Sequence, residues 1–162
     1  MKNAAKAIIV MDNRLLLNKF VNTLGDVYND VPAGAVFYDL PGGGQKNLET
    51  LTEAVARECL EETGHKIKSA RLAALYEEIS INEAFFKEFG FYSHKIFFIF
   101  VAEIFDGPPE KITNPDYDML GSEWVDLNGI GDFPLYPITV RKNIKKIIDS
   151  NEIIFLGSER GR

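Results

Sequence analysis

The sequence predicts an α/β fold in which a mixed β-sheet lies between helices. The predicted elements follow one another as strands, helix, strands and helix along the 162 residues, and this order favours helices packed on a sheet. Residues 92–105 form a long predicted strand that is apolar on both faces, with Ile96, Phe98 and Phe100 on one and Phe97, Ile99 and Val101 on the other. Such a strand is buried on both sides, so we expect a helix against each face of the sheet.

The N-terminal elements are predicted from short-range patterns. Residues 5–11 and 14–20 are predicted strands, joined by a tight turn at Asp12 and Asn13. Residues 21–34 contain Gly, Asn, Asp and Pro and are predicted to form a loop. A short strand at 35–40 leads into Pro41-Gly42-Gly43-Gly44, where glycines permit a sharp turn or a close approach of the backbone to phosphate.

The remaining elements follow from periodicity and capping signals. A helix is predicted at 51–63, with Gly64 as its C-cap. Residues 67–79 favour one or two strands, although their Ala and Leu content also permits a short helical piece. A loop at 106–119, a strand at 122–127, an amphipathic helix at 138–149 and a closing strand at 152–156 then follow, before a polar tail. The last helix turns Ile144, Ile147 and Ile148 inward, and its basic residues are interpreted as a solvated face: Arg141, Lys142, Lys145 and Lys146.

Composition restricts the class of protein. Apolar residues make up 46% and charged residues 26% of the chain, which predicts one globular domain over residues 1–162. A net charge of −6 argues against binding to nucleic acid polymers or to anionic membranes. A single cysteine and the lack of an apolar leader or span predict a cytoplasmic protein. Two histidines are too few for a histidine-rich zinc site.

The most informative stretch is the acidic half of the first helix. Glu58, Glu61 and Glu62 stand at i, i+3 and i+4 and therefore share one face. The apolar residues Leu51, Ala54 and Val55 point in nearly the same direction, so the glutamates should face the protein body. Like charges there need a cation, and hard oxygen ligands suit Mg²⁺ or Mn²⁺. The alternative is a solvated acidic face without a ligand.

These residues belong to a longer motif that resembles the Nudix box, G-x5-E-x7-R-E-U-x-E-E-x-G-U, where U is aliphatic. The matching positions are Gly43, Glu49, Arg57, Glu58, Glu61, Glu62 and Gly64. Cys59 fits the first U, whereas His65 departs from the second, and Lys46 and Leu48 replace the usual Glu and Gly. The resemblance implies the α/β/α sandwich of Nudix hydrolases.

The resemblance also implies residue roles. Glu58, Glu61 and Glu62 would hold the metal, with the Gly42 carbonyl as a further ligand. Arg57 would orient a neighbouring carboxylate such as Glu49. The family tends to add an acid from outside the box, as ligand or general base, and Glu123 is favoured here. The competing residues are Asp116, Asp118, Glu77 and Glu78.

The reaction implied is hydrolysis of a phosphoanhydride by water, with Mg²⁺ as cofactor and Mn²⁺ as a possible substitute. The proton would go to a carboxylate among Glu61, Glu62, Glu123 and Glu49. The favoured substrate is a nucleoside diphosphate linked to another group, such as an NDP-sugar or ADP-ribose. One alternative is a MutT-type triphosphate pyrophosphohydrolase, although Pro137 replaces the asparagine that reads an oxidised guanine. Another is a nucleotide sensor that lacks catalysis.

Several aromatic residues allow two interpretations. The segment Phe85, Phe86, Phe89, Phe91 and Tyr92 predicts core packing or a homodimer contact, or else stacking on a nucleobase. The residues Tyr28, Phe37 and Tyr38, close to the glycine turn, are similar candidates. His94 is predicted to be structural, and Cys59 to be a small buried hydrophobe.

Overall fold

The computed structural model describes residues 1–28 and 31–161, and in them the predicted strands and helices alternate as expected. The strands are β1 Lys2–Met11, β2 Arg14–Val21, β3 Val36–Asp39, β4 Gly42–Gly44, β5 Ile67–Ser80, β6 His94–Ile104, β7 Met119–Asp126 and β8 Ile154–Gly161. The helices are α1 Leu51–Thr63, α2 Glu83–Phe89 and α3 Ile138–Asp149. The predicted loop at 21–34 includes residues 29 and 30, which lie outside the described residues.

The strands form one mixed sheet. The order is β3-β2-β1-β6-β5-β8, with β4 added to β1 and β7 added to β2. β1 runs parallel to β6 and β5 parallel to β8, whereas the β1–β2 and β5–β6 pairs are antiparallel. Among the described residues, no helix is long and apolar enough to span a membrane.

Each face of the sheet is covered by one of the two longer helices, which confirms the predicted sandwich. Ala54, Val55 and Cys59 of α1 pack on one face, together with Phe100 of β6. The other face packs against Val140, Ile144 and Ile147 of α3, together with Phe97 and Ile99 of β6. The two-sided strand β6 is therefore the centre of the molecule, as its alternating pattern predicted.

The structure corrects three sequence predictions and decides between the alternatives that were open for residues 67–79. β6 begins at His94 and not at residue 92, because Gly90–Ser93 form a 3₁₀ turn. The Gly42–Gly44 segment is a strand and not only a turn, since it pairs with Ala4, Ala5 and Lys6. β8 continues through most of the polar tail, where an edge strand tolerates exposed polar side chains. β5 is one bulged strand without a helical piece.

Two regions behave differently from their sequence interpretation. α2 was not predicted, and Asn82 caps it by accepting hydrogen bonds from Ala84 N and Phe85 N. In the predicted solvated face of α3, Lys142, Lys145 and Lys146 are exposed as expected. Arg141 is not fully solvated, because its Nη1 donates to the Phe133 carbonyl at 2.8 Å.

Candidate active site

Both ends of α1 are fixed by local interactions. Thr50 and Glu53 form a capping box, in which each side chain bonds the backbone N–H of the other residue. Gly64 ends the helix in the left-handed region at φ 74°, and its N–H donates to Leu60 O at 3.0 Å. A Cβ on Gly64 would lie 2.1 Å from the Glu110 carbonyl oxygen. The acidic face of α1 therefore has a defined position against the loop that contains Glu110.

Arg57 connects the carboxylates on this part of α1. Its Nε and Nη2 donate to the two oxygens of Glu49 at 2.7 and 3.0 Å, so the predicted Arg57–Glu49 pair is present. Its Nη1 donates to Glu58 at 2.7 Å and to Glu61 at 3.2 Å. The hydrogen bond from Arg57 lowers the pKa of Glu49 to about 2. Arg57 thus belongs to the frame that holds three of the predicted site carboxylates.

Glu62 is different, because it is buried away from Arg57. Its side chain is 1% exposed, and Oε2 accepts hydrogen bonds from Asn18 Nδ2 at 2.7 Å and Gly42 N at 2.8 Å. Its Oε1 is buried without a partner among the described residues. Burial raises the pKa of Glu62, although the charge of Lys6 and the Gly42 hydrogen bond oppose the rise. A buried carboxylate oxygen of this kind can be satisfied by a bound cation or by a water molecule.

Lys6 was not predicted as a site residue. Its ammonium group donates to Asp39 Oδ2 at 2.7 Å, to the Leu40 carbonyl at 3.2 Å and to the Gly42 carbonyl at 2.6 Å. Burial opposes the charge of Lys6, but Asp39 and Glu62 outweigh it and raise the Lys6 pKa. The only signal in the sequence was a lysine inside the apolar strand AAKAIIV. The Gly42 carbonyl, a predicted metal ligand, therefore already accepts one hydrogen bond.

The glycine turn requires glycine for steric reasons. Gly42 has φ 128°, and a Cβ there would lie 2.1 Å from the Ala5 carbonyl oxygen. A Cβ on Gly43 would lie 2.8 Å from the carboxyl carbon of Glu58. The backbone of the turn therefore packs directly against the acidic face of α1.

Glu123 is not brought to this cluster. Its Oε1 accepts a hydrogen bond from the Tyr38 hydroxyl at 2.5 Å, and its Oε2 lies 3.6 Å from Lys19 Nζ. The preceding residue, Ser122, donates to Asn18, which in turn holds Glu62. Because neighbouring side chains of a strand point to opposite faces, Glu123 faces away from Glu62. The sequence pattern located the strand but not its orientation.

Among the competing acids, Asp116 is the one whose charge acts on the box glutamates. Burial raises the pKa of Glu58 against the effect of Arg57, and the charges of Glu61 and Asp116 add to the rise. Asp116 also acts on Glu62 and on Lys6. The loop that carries Asp116 is tied to α1, since Thr113 N and Asn114 N donate to the Glu61 carbonyl. Asp116 therefore lies on this loop and not on a strand.

The other competing acids interact elsewhere. Glu77 pairs with His94 at 2.8 Å and accepts a hydrogen bond from Ser158. Glu78 pairs with Lys95 at 3.1 Å. The Asp118 side chain accepts a hydrogen bond from the Thr23 hydroxyl. The contact to Glu77 also gives His94 the structural role that the sequence predicted.

The geometry has a direct consequence for metal binding. Among the described residues, no three Asp, Glu, His or Cys side chains converge into a ready-made metal site. Arg57 holds Glu58 and Glu61, so a cation would replace part of these contacts. The residues nevertheless fit a hard divalent cation, because their donors are carboxylate oxygens and Glu62 Oε1 lacks a partner.

A cavity of about 200 Å³ opens near the start of α3, between β3, β5, β6 and β8. Its aromatic lining comes from Tyr28, Phe37, Tyr76, Phe85, Phe97 and Tyr136. Asp39 also lines it, and the hydrogen bonds of Lys6 to Asp39 and to the Gly42 carbonyl link the cavity to the glycine turn. We call it the aromatic pocket. Its volume is below the roughly 300–1,000 Å³ of pockets for whole drug-sized ligands, so it suits one ring system.

The pocket separates the two interpretations of the aromatic segment. No residue of α2 is buried, so core packing is wrong for this helix. Phe85 lines the aromatic pocket, whereas Phe86 and Phe91 are 62% and 76% exposed. Tyr38 does not line the pocket, and its ring lies 4.6 Å from that of Phe133. Cys59 is fully buried, and burial raises its pKa to about 11, as expected of an unreactive packing residue.

We predict that Glu49→Gln destabilises the protein in a pH-dependent way. The Glu49 pKa is lowered in the folded state, so the ionised pair contributes stability above pH 4.5 that is lost as the pH falls towards about 2. Urea unfolding should therefore show a less stable variant at pH 7 and a vanishing difference near pH 2. The exposed Glu88→Gln is the matched control. A difference independent of pH would contradict the Arg57–Glu49 pairing.

Fold and site together define a class: an α/β/α sandwich with an acidic helix packed against a glycine turn. A family model described as "NUDIX domain" matches residues 1–148. The chain therefore belongs to the Nudix family, and the predicted membership is confirmed. Nudix hydrolases generally use divalent metals. A comparison with curated proteins found no match.

Solved structures support the fold. A MutT protein from Bacillus halodurans is 20% identical with a TM-score of 0.65, over 99% of this chain and 90% of that one. An ADP-ribose pyrophosphatase from Streptococcus suis is 20% identical with a TM-score of 0.57, over 95% and 98%. A MutT Nudix hydrolase from Burkholderia pseudomallei is 27% identical with a TM-score of 0.54, over 78% and 84%. At these identities the first two show the fold alone.

Proposed function

We propose that this protein hydrolyses a phosphoanhydride bond of a nucleotide with the help of a divalent cation, Mg²⁺ or, as a substitute, Mn²⁺. The observation that carries the proposal is the buried Glu62 oxygen without a partner, on the same helix as Glu58 and Glu61. A structural carboxylate in such a place would be expected to have both oxygens hydrogen-bonded.

Glu58, Glu61 and Glu62 would hold the cation, and the second lone pair of the Gly42 carbonyl is available as a further ligand. A bound cation would neutralise the diphosphate and lower the pKa of a water molecule. Arg57 keeps Glu49, Glu58 and Glu61 in place through its guanidinium group. It is a positioning residue in this proposal.

One carboxylate must accept the proton of the attacking water. The candidates inside the box are Glu49, Glu61 and Glu62. Glu49 is the weakest of them as a base, because Arg57 lowers its pKa to about 2. Outside the box, Asp116 is better supported than Glu123, since its charge acts on Glu58 and Glu62 whereas Glu123 points to the opposite face.

A nucleotide substrate is supported by the aromatic pocket, which Asp39 and Lys6 link to the glycine turn. Its rings give a base a stacking surface. A nucleoside diphosphate linked to a second group, of the NDP-sugar or ADP-ribose type, remains our first choice. A MutT-type triphosphate pyrophosphohydrolase is the alternative within the family. A sensor without catalysis is the second candidate, because Arg57 already neutralises Glu58 and Glu61.

The test is a panel of ADP-ribose, NDP-sugars, dinucleoside polyphosphates and canonical and oxidised dNTPs, assayed with Mg²⁺, with Mn²⁺ and with EDTA. We expect metal-dependent release of a nucleoside monophosphate. In the same assay Asp116→Asn should lose at least about tenfold in kcat, while Glu123→Gln stays within about threefold. Silence across the panel with either metal would favour the sensor, and a larger loss in Glu123→Gln would restore Glu123 as the outside acid.

We also propose the cellular location, the homodimer contact and the number of domains. The buried, unpaired Cys59 supports a cytoplasmic location. The exposed Phe86 and Phe91 support a homodimer contact. One sheet with a core on each face supports a single domain over residues 1–162.

A further inference from the structure

The aromatic pocket is completed by a strand outside the region that matches the family model. That model ends at residue 148, whereas β8 covers Ile154–Gly161 and pairs with β5. Glu159 and Gly161 of β8 line the pocket. This wall of the pocket therefore consists of residues beyond the region that the family model matches.

The polar lining of the pocket contains more acceptors than donors. Asp39, Glu78 and Glu159 supply three carboxylates, and Lys95 is the cationic side chain among the described lining residues. Lys95 lies 3.1 Å from Glu78 and over the rings of Phe85 and Phe97. The charge of Lys95 is therefore compensated by Glu78, and the remaining carboxylates make the pocket unfavourable for a phosphate group.

Glu159 is held in one orientation. Its Oε2 accepts hydrogen bonds from the Tyr76 hydroxyl at 2.6 Å and from the Thr139 hydroxyl at 3.0 Å. Burial of Tyr76, followed by its bond to Glu159, raises the Tyr76 pKa, so this hydroxyl remains a donor. Both bonds go to the same oxygen, so Oε1 is the Glu159 oxygen open to a ligand, and the residue as a whole is exposed at the rim of the pocket.

We propose that Glu159 makes the pocket selective for a nucleobase that carries an exocyclic amine. This inference rests on the proposed function, since it concerns the base of the same substrate. An ionised carboxylate only accepts hydrogen bonds. An amine of adenine or cytosine would donate to Oε1, whereas hypoxanthine or uracil would place a carbonyl oxygen against it. Two acceptors that face each other repel, and because Glu159 is exposed the penalty arises to the extent that the bound base excludes water from Oε1.

The experiment compares substrates that differ only in this group: the adenosine and inosine forms, and the cytidine and uridine forms, of one diphosphate-linked substrate. Wild-type protein should favour at least one amine-bearing member by about tenfold or more in kcat/KM. Glu159→Gln should invert that preference. The hydroxyls of Tyr76 and Thr139 fix the amide oxygen at the Oε2 position, so the amide nitrogen, a donor, replaces Oε1.

Glu152→Gln is the matched control, because it removes the same charge from an exposed position just before β8. It should leave the ratio of the kcat/KM values within each pair of substrates unchanged. A merely structural role of Glu159 would lower both members of a pair equally and would not invert their order. Equal rates for both pairs in wild type, or an unchanged ratio in Glu159→Gln, would overturn the inference.

A second measurement separates this inference from the proposed function. If wild-type protein hydrolyses neither pair, the proposed function fails for these substrates. Titration calorimetry with AMP, IMP, CMP and UMP then measures whether the pocket binds the bases with an exocyclic amine more tightly. Tighter binding of an amine-bearing member that is inverted in Glu159→Gln would support the inference, and equal binding would overturn it.

Discussion

Glu62→Gln is expected to lower kcat by at least about 100-fold while leaving the fold intact. The substitution replaces the buried Oε1, the oxygen without a partner, by an amide group that ligates a divalent cation poorly. The amide oxygen can still accept the hydrogen bonds of Asn18 and Gly42. The loss should therefore be one of chemistry and not of structure.

Although Glu62→Gln should lose activity, its free energy of unfolding should rise relative to that of the wild type as the pH increases. Burial raises the Glu62 pKa in the folded state, so folding favours the protonated group. The contribution of this group to stability is therefore greatest below pH 4.5 and falls as the pH rises above it. The neutral glutamine avoids this cost, so Glu62→Gln should gain on wild type as the pH rises from 5 to about 8.

Three measurements check this expectation: turnover of the substrate found in the panel, Mn²⁺ affinity by electron paramagnetic resonance, and urea unfolding between pH 5 and 8. Glu103→Gln, which removes an exposed carboxylate of β6, is the control. Turnover within about threefold of wild type would refute the role of Glu62. If wild type has no turnover, weaker Mn²⁺ binding by Glu62→Gln would still support the metal site.

Lys6→Met is expected to cost about 3 kcal/mol of unfolding free energy. Breaking a buried ion pair costs on the order of 3–5 kcal/mol because the remaining charge is left uncompensated. The Asp39 side chain is 26% exposed, so water relieves part of this cost and the lower end applies. The substitution also leaves the carbonyls of Leu40 and Gly42 without their donor.

The control for Lys6→Met is Lys19→Met, which removes a lysine from the neighbouring strand. Lys19 lies 3.6 Å from Glu123 in a more exposed pair, so its loss should cost less than about 1 kcal/mol. Urea unfolding followed by the fluorescence of Trp124 measures both variants. Equal effects of the two substitutions would mean that Lys6 does not carry the buried network assigned to it.

Local patterns were sufficient for the parts of the site that lie on one element. The spacing of Glu58, Glu61 and Glu62 predicted one helix face, and Gly64 predicted where that helix ends. The apolar alternation of β6 predicted a sheet covered on both sides. These features depend on periodicity and capping, which act within a few residues along the chain.

The same reasoning failed where two distant segments meet. Glu123 was favoured as the outside acid because Glu123-Trp124 resembles a pair found in MutT-type members, whereas in the fold its carboxylate accepts a hydrogen bond from Tyr38. Its competitor Asp116 lies on a long loop that is bound to the Glu61 carbonyl, and its charge acts on Glu58 and Glu62. A loop path depends on contacts with the rest of the fold, which no local pattern contains.

The sequence by itself thus predicted the family, through its resemblance to the Nudix box, and the sandwich, and it predicted the acidic face of α1 because a fixed spacing on a helix fixes which side chains share a face. Only the tertiary structure decided that Glu62 is buried with one unpaired oxygen, that Lys6 holds the glycine turn, and that Glu159 enters the aromatic pocket. Each of these depends on which strand lies beside which, and strand register is set by packing across the whole sheet.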